Sequence, residues 1–377
     1  MKVLVTGGAG FIGSHVVDRL VRRGDDVVVL DNLDPQVHGR DATEPTNIAS
    51  HVASDVIEFI RANVQEREPL RRALRGAEAV VHLAAAVGVG QSMYEPLHYV
   101  NTNGGGTGQL LQLLTESEDK ISKLVVASSM SLYGEGAYAC RKCGGSTPRP
   151  RDEAQLGRGE WEVQCADCGA PLSPEPTPED KPADIASIYA ATKKHQEDLA
   201  VSFGRAYDIP TFALRFFNVY GPRQSLSNPY TGVAAIFMSR LLNQNPPLVF
   251  EDGEQSRDFI HVEDIAEAVV RAVDFSGAGA HVLNVGTGRP VTIRQVATLL
   301  AKHMNVEIAP QALNRYRAGD IRHCIADTRR MEKVLGFRAK HGFEDGVGSL
   351  IEWSRGEIAR DTVEQSMAEL QTHKLVR

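Results

Sequence analysis

Eight residues near the start constrain this chain most: Thr6-Gly7-Gly8-Ala9-Gly10-Phe11-Ile12-Gly13. They follow a short apolar run, residues 2–6, that reads as a buried strand. They precede residues 12–23, whose apolar spacing reads as a helix. Gly8, Gly10 and Gly13 satisfy G-x-G-x-x-G, and Gly7, Gly10 and Gly13 satisfy its G-x-x-G-x-x-G variant. Such a turn lets the backbone approach a pyrophosphate, which then rests on the helix N-terminus. Glycines alone are a weak signal, but the strand and the helix are both in place. Asp31 closes a second apolar run, residues 27–30, 18 residues after Gly13. A carboxylate there accepts hydrogen bonds from the adenosine ribose and repels a 2′-phosphate. The expected cofactor is therefore NAD rather than NADP.

The runs that follow repeat the pattern. Residues 56–60, 79–83 and 123–128 read as further buried strands, with a helix over 107–118. A helix over 187–207 and a strand over 211–216 extend the alternation. Short apolar runs separated by helices predict an α/β fold, a Rossmann doubly wound parallel sheet. From Gly221 the segments are shorter and mixed, which suits a smaller C-terminal substrate domain. The expected division is 1–216 for an NAD-binding domain and 217–355 mainly for the substrate domain, with part around 257–285 returning to the first. A helical tail, 356–377, shows no chemistry of its own.

The chain has 41 basic and 48 acidic residues, a net charge of −7. That balance argues against a dedicated nucleic-acid binder. No segment offers the roughly 18 continuous apolar residues that span a bilayer. The opening Met1-Lys2-Val3-Leu4-Val5-Thr6 is too short for a signal peptide's apolar region. No nucleic-acid or membrane partner is expected, and a cytoplasmic location is.

The alternation breaks between about residues 137 and 180. Seven of the eighteen prolines lie between Pro148 and Pro182, helical spacing is lost, and four of the five cysteines crowd in. Cys140-Arg141-Lys142-Cys143 and Cys165-Ala166-Asp167-Cys168 form two C-x2-C knuckles 21 residues apart. That spacing predicts an inserted zinc-ribbon-like segment with one tetrahedral zinc on four thiolates. Such a metal has no open position, so it would be structural, ordering a segment with little core of its own. Cys324 reads as an ordinary buried thiol.

Ser187-Ile188-Tyr189-Ala190-Ala191-Thr192-Lys193 places Tyr189 and Lys193 on one helical face. A tyrosine is a poor base near neutrality, with a pKa of about 10. A neighbouring ammonium and a positive nicotinamide ring favour its phenolate. Tyr189 could then take a proton from a sugar hydroxyl while hydride leaves for NAD.

With these residues in view, the chain resembles the extended short-chain dehydrogenase/reductases of the NAD-dependent sugar-nucleotide epimerase/dehydratase family. The likeness runs from about residue 2 to 355, outside the insertion. It rests on the glycine turn, His82-Leu83-Ala84-Ala85, Thr102-Asn103-Gly104-Gly105-Gly106-Thr107 and Ser128-Ser129-Met130-Ser131-Leu132-Tyr133-Gly134. Tyr189/Lys193, Leu214-Arg215-Phe216-Phe217-Asn218-Val219-Tyr220-Gly221-Pro222 and Arg257-Asp258-Phe259-Ile260-His261-Val262 complete it. The resemblance implies catalytic roles for Ser129, Tyr189 and Lys193. It implies NAD contacts from Gly7, Gly10, Phe11, Ile12, Gly13, Asp31, Asn32, Asn63, Val64, Leu83, Ala84, Ala85 and Asn103, as well as from Tyr189 and Lys193. Many members carry aspartate where this chain has Asn63, and an amide can still hydrogen-bond adenine. Substrate contacts are implied for Val87, Gln91, Ser92, Ser129 and Ser131. Asn218, Arg257 and Arg317 would hold the sugar nucleotide's diphosphate, and Asp320 the nucleoside ribose.

The resemblance also narrows the reaction. Dehydratases of the family carry an Asp-Glu pair after the catalytic Ser/Thr, where this chain has Met130 and Ser131. Neither can supply the extra proton transfers. Residues 86–96 look like the substrate loop of 4-epimerases. Residues 30–39, 225–233 and 316–327 are similar to those of the dTDP-L-rhamnose 4-epimerase type. The expected activity is C4 inversion through a 4-keto intermediate, on dTDP-L-rhamnose or a related dTDP- or UDP-sugar. UDP-glucose or UDP-glucuronate 4-epimerase, NDP-sugar 4-ketoreductase and 4,6-dehydratase are the alternatives. A non-catalytic NAD-binding regulator is a competing class, and such proteins often lack the tyrosine or lysine found here. Family members are commonly homodimers, so a second copy is an expected partner beside the small-molecule nucleotide sugar. Lying between Ser129 and Tyr189, the insertion is expected to wall or cover the sugar site.

Overall fold

Seven apolar runs line up as one parallel sheet. From one edge the order is Ala280–Val285, Thr211–Phe216, Lys123–Ser129, Ala79–His82, Lys2–Thr6, Asp26–Asp31 and Ile57–Arg61. The coordinates are a computed structural model that describes residues 1–39, 42–317 and 319–376. Alternate side chains of each strand feed two cores. Val3, Val5, Val27 and Val29 join Val16, Leu20, Ile265 and Val269 on one face. Leu4, Val28 and Leu30 join Leu70, Leu110 and Val201 on the other. Helices Phe11–Arg23 and Val262–Asp274 cover the first face. Arg67–Leu74, Gly106–Glu116 and Ile188–Ala206 cover the second. Each side chain so buried contributes about 1.5–3 kcal/mol, which holds the sheet as a rigid platform. Strand order reverses between Lys2–Thr6 and Ala79–His82, the switch point beside which open α/β sheets bind ligands.

A second sheet draws strands from both sides of Phe216. Its strands Asn218–Tyr220, Ser256–His261, His323–Ala326, Ser173–Thr177 and Ala137–Ala139 follow in that order, with Pro290–Thr292 antiparallel to Ser256–His261. Phe237, Met238, Leu241, Val296, Leu300, Val347 and Leu350 form a third core beside it. The stretch from 137 to 180 is therefore sewn into this sheet. Its outgoing strand Ala137–Ala139 pairs antiparallel with its returning strand Ser173–Thr177, which runs parallel to His323–Ala326. One turn of helix, Glu153–Gly157, lies within it, where helical spacing was not expected. Asp152 caps that turn through a hydrogen bond from the Gln155 N–H at 2.7 Å, a local signal too short for periodicity to reveal.

The tail is helical over Val363–Thr372, and it does carry contacts. Tyr94 stacks on His373 at 4.5 Å, and the Tyr230 hydroxyl donates to Glu369 at 2.6 Å. The far end of the chain thus packs on the loop expected to face the substrate. Among the described residues, no helix is long and apolar enough to cross a membrane.

Candidate active site

The glycine turn meets Leu83, Ala84 and Ala85 at the carboxyl ends of the strands, and a cavity of about 470 Å³ opens there. Gly7 has φ +72°, and a Cβ on it would lie 2.7 Å from the Ala84 nitrogen. A Cβ on Gly13 would lie 2.1 Å from the Gly7 oxygen, so the helix can approach the turn only without a side chain. Gly10 enters helix Phe11–Arg23 with no side-chain cap on its first turn, among the described residues. Phe11, Ile12 and Gly13 line the cavity, leaving a helix N-terminus suited to a pyrophosphate. The Asp31 carboxylate accepts from Ala9 N–H at 3.0 Å and Leu33 N–H at 2.9 Å, so it also shapes the turn. Asn32, Asn63 and Val64 continue the lining. These residues fit NAD.

Tyr189, Lys193, Ser129 and Ser131 line the same cavity. Ser187 caps the catalytic helix by accepting from Ala190 N–H at 3.1 Å, and this sets the register of Tyr189 and Lys193. Burial raises the Tyr189 phenol, opposed by its hydrogen bond with Ser129. The Ser129 and Ser131 hydroxyls are 2.8 Å apart. Burial also pulls the Lys193 ammonium down to about 7, against the Glu197 carboxylate that holds it up. Gln196 accepts a hydrogen bond from its Nζ. His82, fully buried, is pushed down to about 3 by burial and then by Lys193. It stays neutral and bridges the Thr6 hydroxyl at 2.7 Å and the Thr107 hydroxyl at 2.9 Å.

Other expected residues take different places. Val87 and Gln91 line the cavity, and Gln91 forms a reciprocal amide pair with Gln36, both bonds 2.9 Å. Ser92 is fully buried behind it, donating to the Val89 oxygen at 2.7 Å and accepting from Tyr189 N–H at 3.0 Å. That hydroxyl positions the catalytic helix. Asn103 lies beneath the cavity, accepting from Ala86 N–H at 2.8 Å and donating to the Thr192 hydroxyl at 2.9 Å. Asn218 lines the cavity, and among the described residues nothing hydrogen-bonds its buried Oδ1. Its amide is available to a ligand.

Arg257, Arg317 and Asp320 do not line this cavity. They form a cluster of their own. Arg257 reaches Asp320 at 3.2 Å, and Arg317 reaches it at 2.8 Å while lying over the Phe250 ring at 4.6 Å. Burial raises the Asp320 carboxyl, but Arg317, Arg257 and Arg151 together bring it to about 2. A second cavity of about 320 Å³ opens beside Arg317 and Asp320. The insertion faces that cavity, and none of residues 137–180 lines the first. The expected cover over the sugar site is thus not formed; pairing of Ser173–Thr177 with His323–Ala326 draws the insertion toward residues 317–323 instead.

Sequence reading missed Glu197, Arg215 and Gln36. Glu197 follows Lys193 by four residues on one helix, so spacing could have flagged it. Gln36 and Arg215 meet their partners only through the fold.

Comparison with known proteins agrees with this geometry. The model of the NAD dependent epimerase/dehydratase family matches residues 3–153 and 166–286, and the chain belongs to that family. A dTDP-L-rhamnose 4-epimerase of Burkholderia thailandensis is 34% identical over 95% of this chain and 96% of its own. A UDP-glucose 4-epimerase of Mycolicibacterium smegmatis is 32% identical over 95% of this chain and 99% of its own. Among solved structures, UDP-glucose 4-epimerase from Thermotoga maritima with UDP-glucose superposes with TM-score 0.76 at 30% identity, covering 94% of this chain and 99% of that one. The UDP-glucuronic acid 4-epimerase of Bacillus cereus with UDP-glucuronic acid and NAD gives TM-score 0.76 at 27% identity, with the same coverage.

Proposed function

We propose that this chain is an NAD-dependent nucleotide-sugar 4-epimerase acting on dTDP-L-rhamnose or a related dTDP- or UDP-sugar. The observation that carries the reading is the meeting of Ser129, Tyr189 and Lys193 beside the glycine turn, with Met130 and Ser131 in the two following positions. NAD, held by the glycine turn, Asp31, Asn32, Asn63 and Val64, would supply a reversible hydride acceptor. Tyr189 takes the proton from the C4 hydroxyl and gives it back after inversion. Ser129 would hydrogen-bond that hydroxyl, and Lys193, in its protonated form, would hold the cofactor ribose and favour the phenolate. Asn218 anchors the diphosphate while the keto sugar turns. In incubations with a panel of dTDP- and UDP-sugars and no added cofactor, C4 epimers should appear. Turnover that needs stoichiometric NAD(P)H, or a dehydrated product, would reject the reading.

The four cysteines are proposed to hold a structural zinc. Their sulfurs all lie within 4.8 Å of one another, with Cys140–Cys168 at 3.5 Å and Cys143–Cys165 at 3.6 Å. Four thiolates about 2.3 Å from a tetrahedral zinc sit about 3.8 Å apart. Metal analysis after zinc-replete expression should give about one zinc per chain, and a value near zero would reject the site. A homodimer is proposed as well: Leu97, 70% exposed, and Val100, 48% exposed, leave apolar surface beside the catalytic helix.

A further inference from the structure

Much of the lining of the cavity that holds Tyr189 is drawn from residues 30–38, 83–91 and 224–234. One side chain from each of these stretches meets the others at a single place. Gln36 and Gln91 bond reciprocally, each Nε2 donating to the other's Oε1 at 2.9 Å. Gln36 Nε2 also donates to the Asn228 Oδ1 at 3.3 Å. Neutral bonds of this kind open without stranding a charge, unlike an ion pair. They suit a closure that must admit a ligand and then hold it.

Each partner is anchored behind. Asp34 accepts from the Gln36 N–H at 2.8 Å, capping the short turn Pro35–His38 that aims the Gln36 amide. That turn begins just past Asp31, which shapes the glycine turn. The fully buried Tyr99 donates its hydroxyl to Gln91 Oε1 at 3.1 Å, and its ring meets that of Tyr189. Ser92, the next residue after Gln91, accepts from the Tyr189 N–H at 3.0 Å. Asn228, 9% exposed, is steadied by the Tyr230 N–H at 2.9 Å. The amide pair thus ties the turn that fits NAD to the start of the helix that carries Tyr189.

A reaction that lends a hydride and takes it back makes its own demand. Oxidation of the C4 alcohol sends a hydride to NAD and the hydroxyl proton to Tyr189. If the reduced cofactor leaves before the hydride returns, one 4-keto sugar is left for each cofactor lost. We propose that Gln36 and Gln91, steadied by Asn228, form a clasp between the rims of the cavity that slows escape of its cofactor. Gln36 acts through Gln91 and is a positioning residue. The purpose of the clasp rests on the 4-epimerase reading, but its effect on NAD needs no sugar.

The test loads wild type, Gln36→Ala, Gln91→Ala and the double variant with radiolabelled NAD. Each is then diluted into excess unlabelled NAD without sugar, and circular dichroism checks the fold. Gln36→Ala should release NAD about tenfold faster than wild type. Gln91→Ala should release it at least as fast, because the Tyr99 hydroxyl also loses its partner. The double variant should stay within about twofold of Gln91→Ala, since either change alone opens the clasp. Gln36→Asn, one methylene too short to reach Gln91, should match Gln36→Ala and replaces it if the alanine variant does not fold. During turnover of a nucleotide sugar, these variants should release reduced cofactor and 4-keto sugar in equal amounts. NAD release within about twofold of wild type from the Gln36 variant, or effects that multiply in the double variant, overturn the proposal. So does wild type that binds no NAD. Wild type whose NAD escapes faster once the clasp is cut, but which forms no C4 epimer, supports the clasp and overturns only the 4-epimerase reading.

Discussion

Tyr189→Phe should lower kcat by about 10²–10⁴-fold while NAD and the nucleotide sugar still bind. The substitution removes one oxygen and keeps the ring. Tyr189 is 9% exposed, and its ring meets Tyr99 edge-on at 6.3 Å, a contact that phenylalanine retains. Its backbone N–H stays bonded to the Ser92 hydroxyl at 3.0 Å, so the helix start is undisturbed. What is lost is the group that moves the C4 proton. Ser129 remains, but a serine hydroxyl is a far weaker base than a phenolate. The measurement is single-turnover epimerisation, alongside NAD retention and dTDP-sugar affinity. Activity within tenfold of wild type would remove Tyr189 from the mechanism.

Glu197→Ala should cost about 3–5 kcal/mol of stability, as removal of one partner from a buried ion pair does. Glu197 is 2% exposed and accepts from Arg215 at 2.7 and 2.9 Å and from the Ser128 hydroxyl at 2.7 Å. Arg215, 5% exposed, would be left charged and largely buried once the carboxylate goes. Its remaining neighbours are the Tyr133 hydroxyl at 2.7 Å and the Glu179 oxygen at 2.9 Å, neither of which carries a full charge. Chemical denaturation would read the loss directly. Replacing both partners, Glu197→Met with Arg215→Met, should restore much of it, since no charge is then stranded. A single-variant loss below about 1 kcal/mol, the range of an exposed pair, would show that the pair is solvated.

Six strands of the first sheet were legible because each is a short, mostly apolar run; the edge strand Ala280–Val285, only part-buried over its first half, was not. Residues 2–6 and 211–216 were read with the bounds they have, and the third strand, expected at 56–60, lies at Ile57–Arg61. The π-helical turn Val100–Gly105 was not legible, since its glycine run reads only as a break. Around the site, the sequence reading brought the glycine turn, Asp31, Ser129, Tyr189 and Lys193 together because strand ends and helix faces place them. It could not tell Ser92 and Asn103 from ligand contacts. Both are polar residues beside the site, and only tertiary packing shows their polar atoms holding Tyr189, Ala86 and Thr192. Arg257, Arg317 and Asp320 raise the same difficulty, since their distance from the first cavity depends on how the second sheet sits.

The insertion leaves and returns side by side, Ala137 opposite Glu175 and Ala139 opposite Ser173. Its two ends are therefore closed by the sheet itself. Everything between them is a cassette whose length can drift over generations without moving Ser129 relative to Tyr189. Lengthening a closed loop costs only about 0.6 kcal/mol per doubling. Proteins of this fold could thus gain or lose such a module at this point while the proton-transfer chemistry is inherited unchanged.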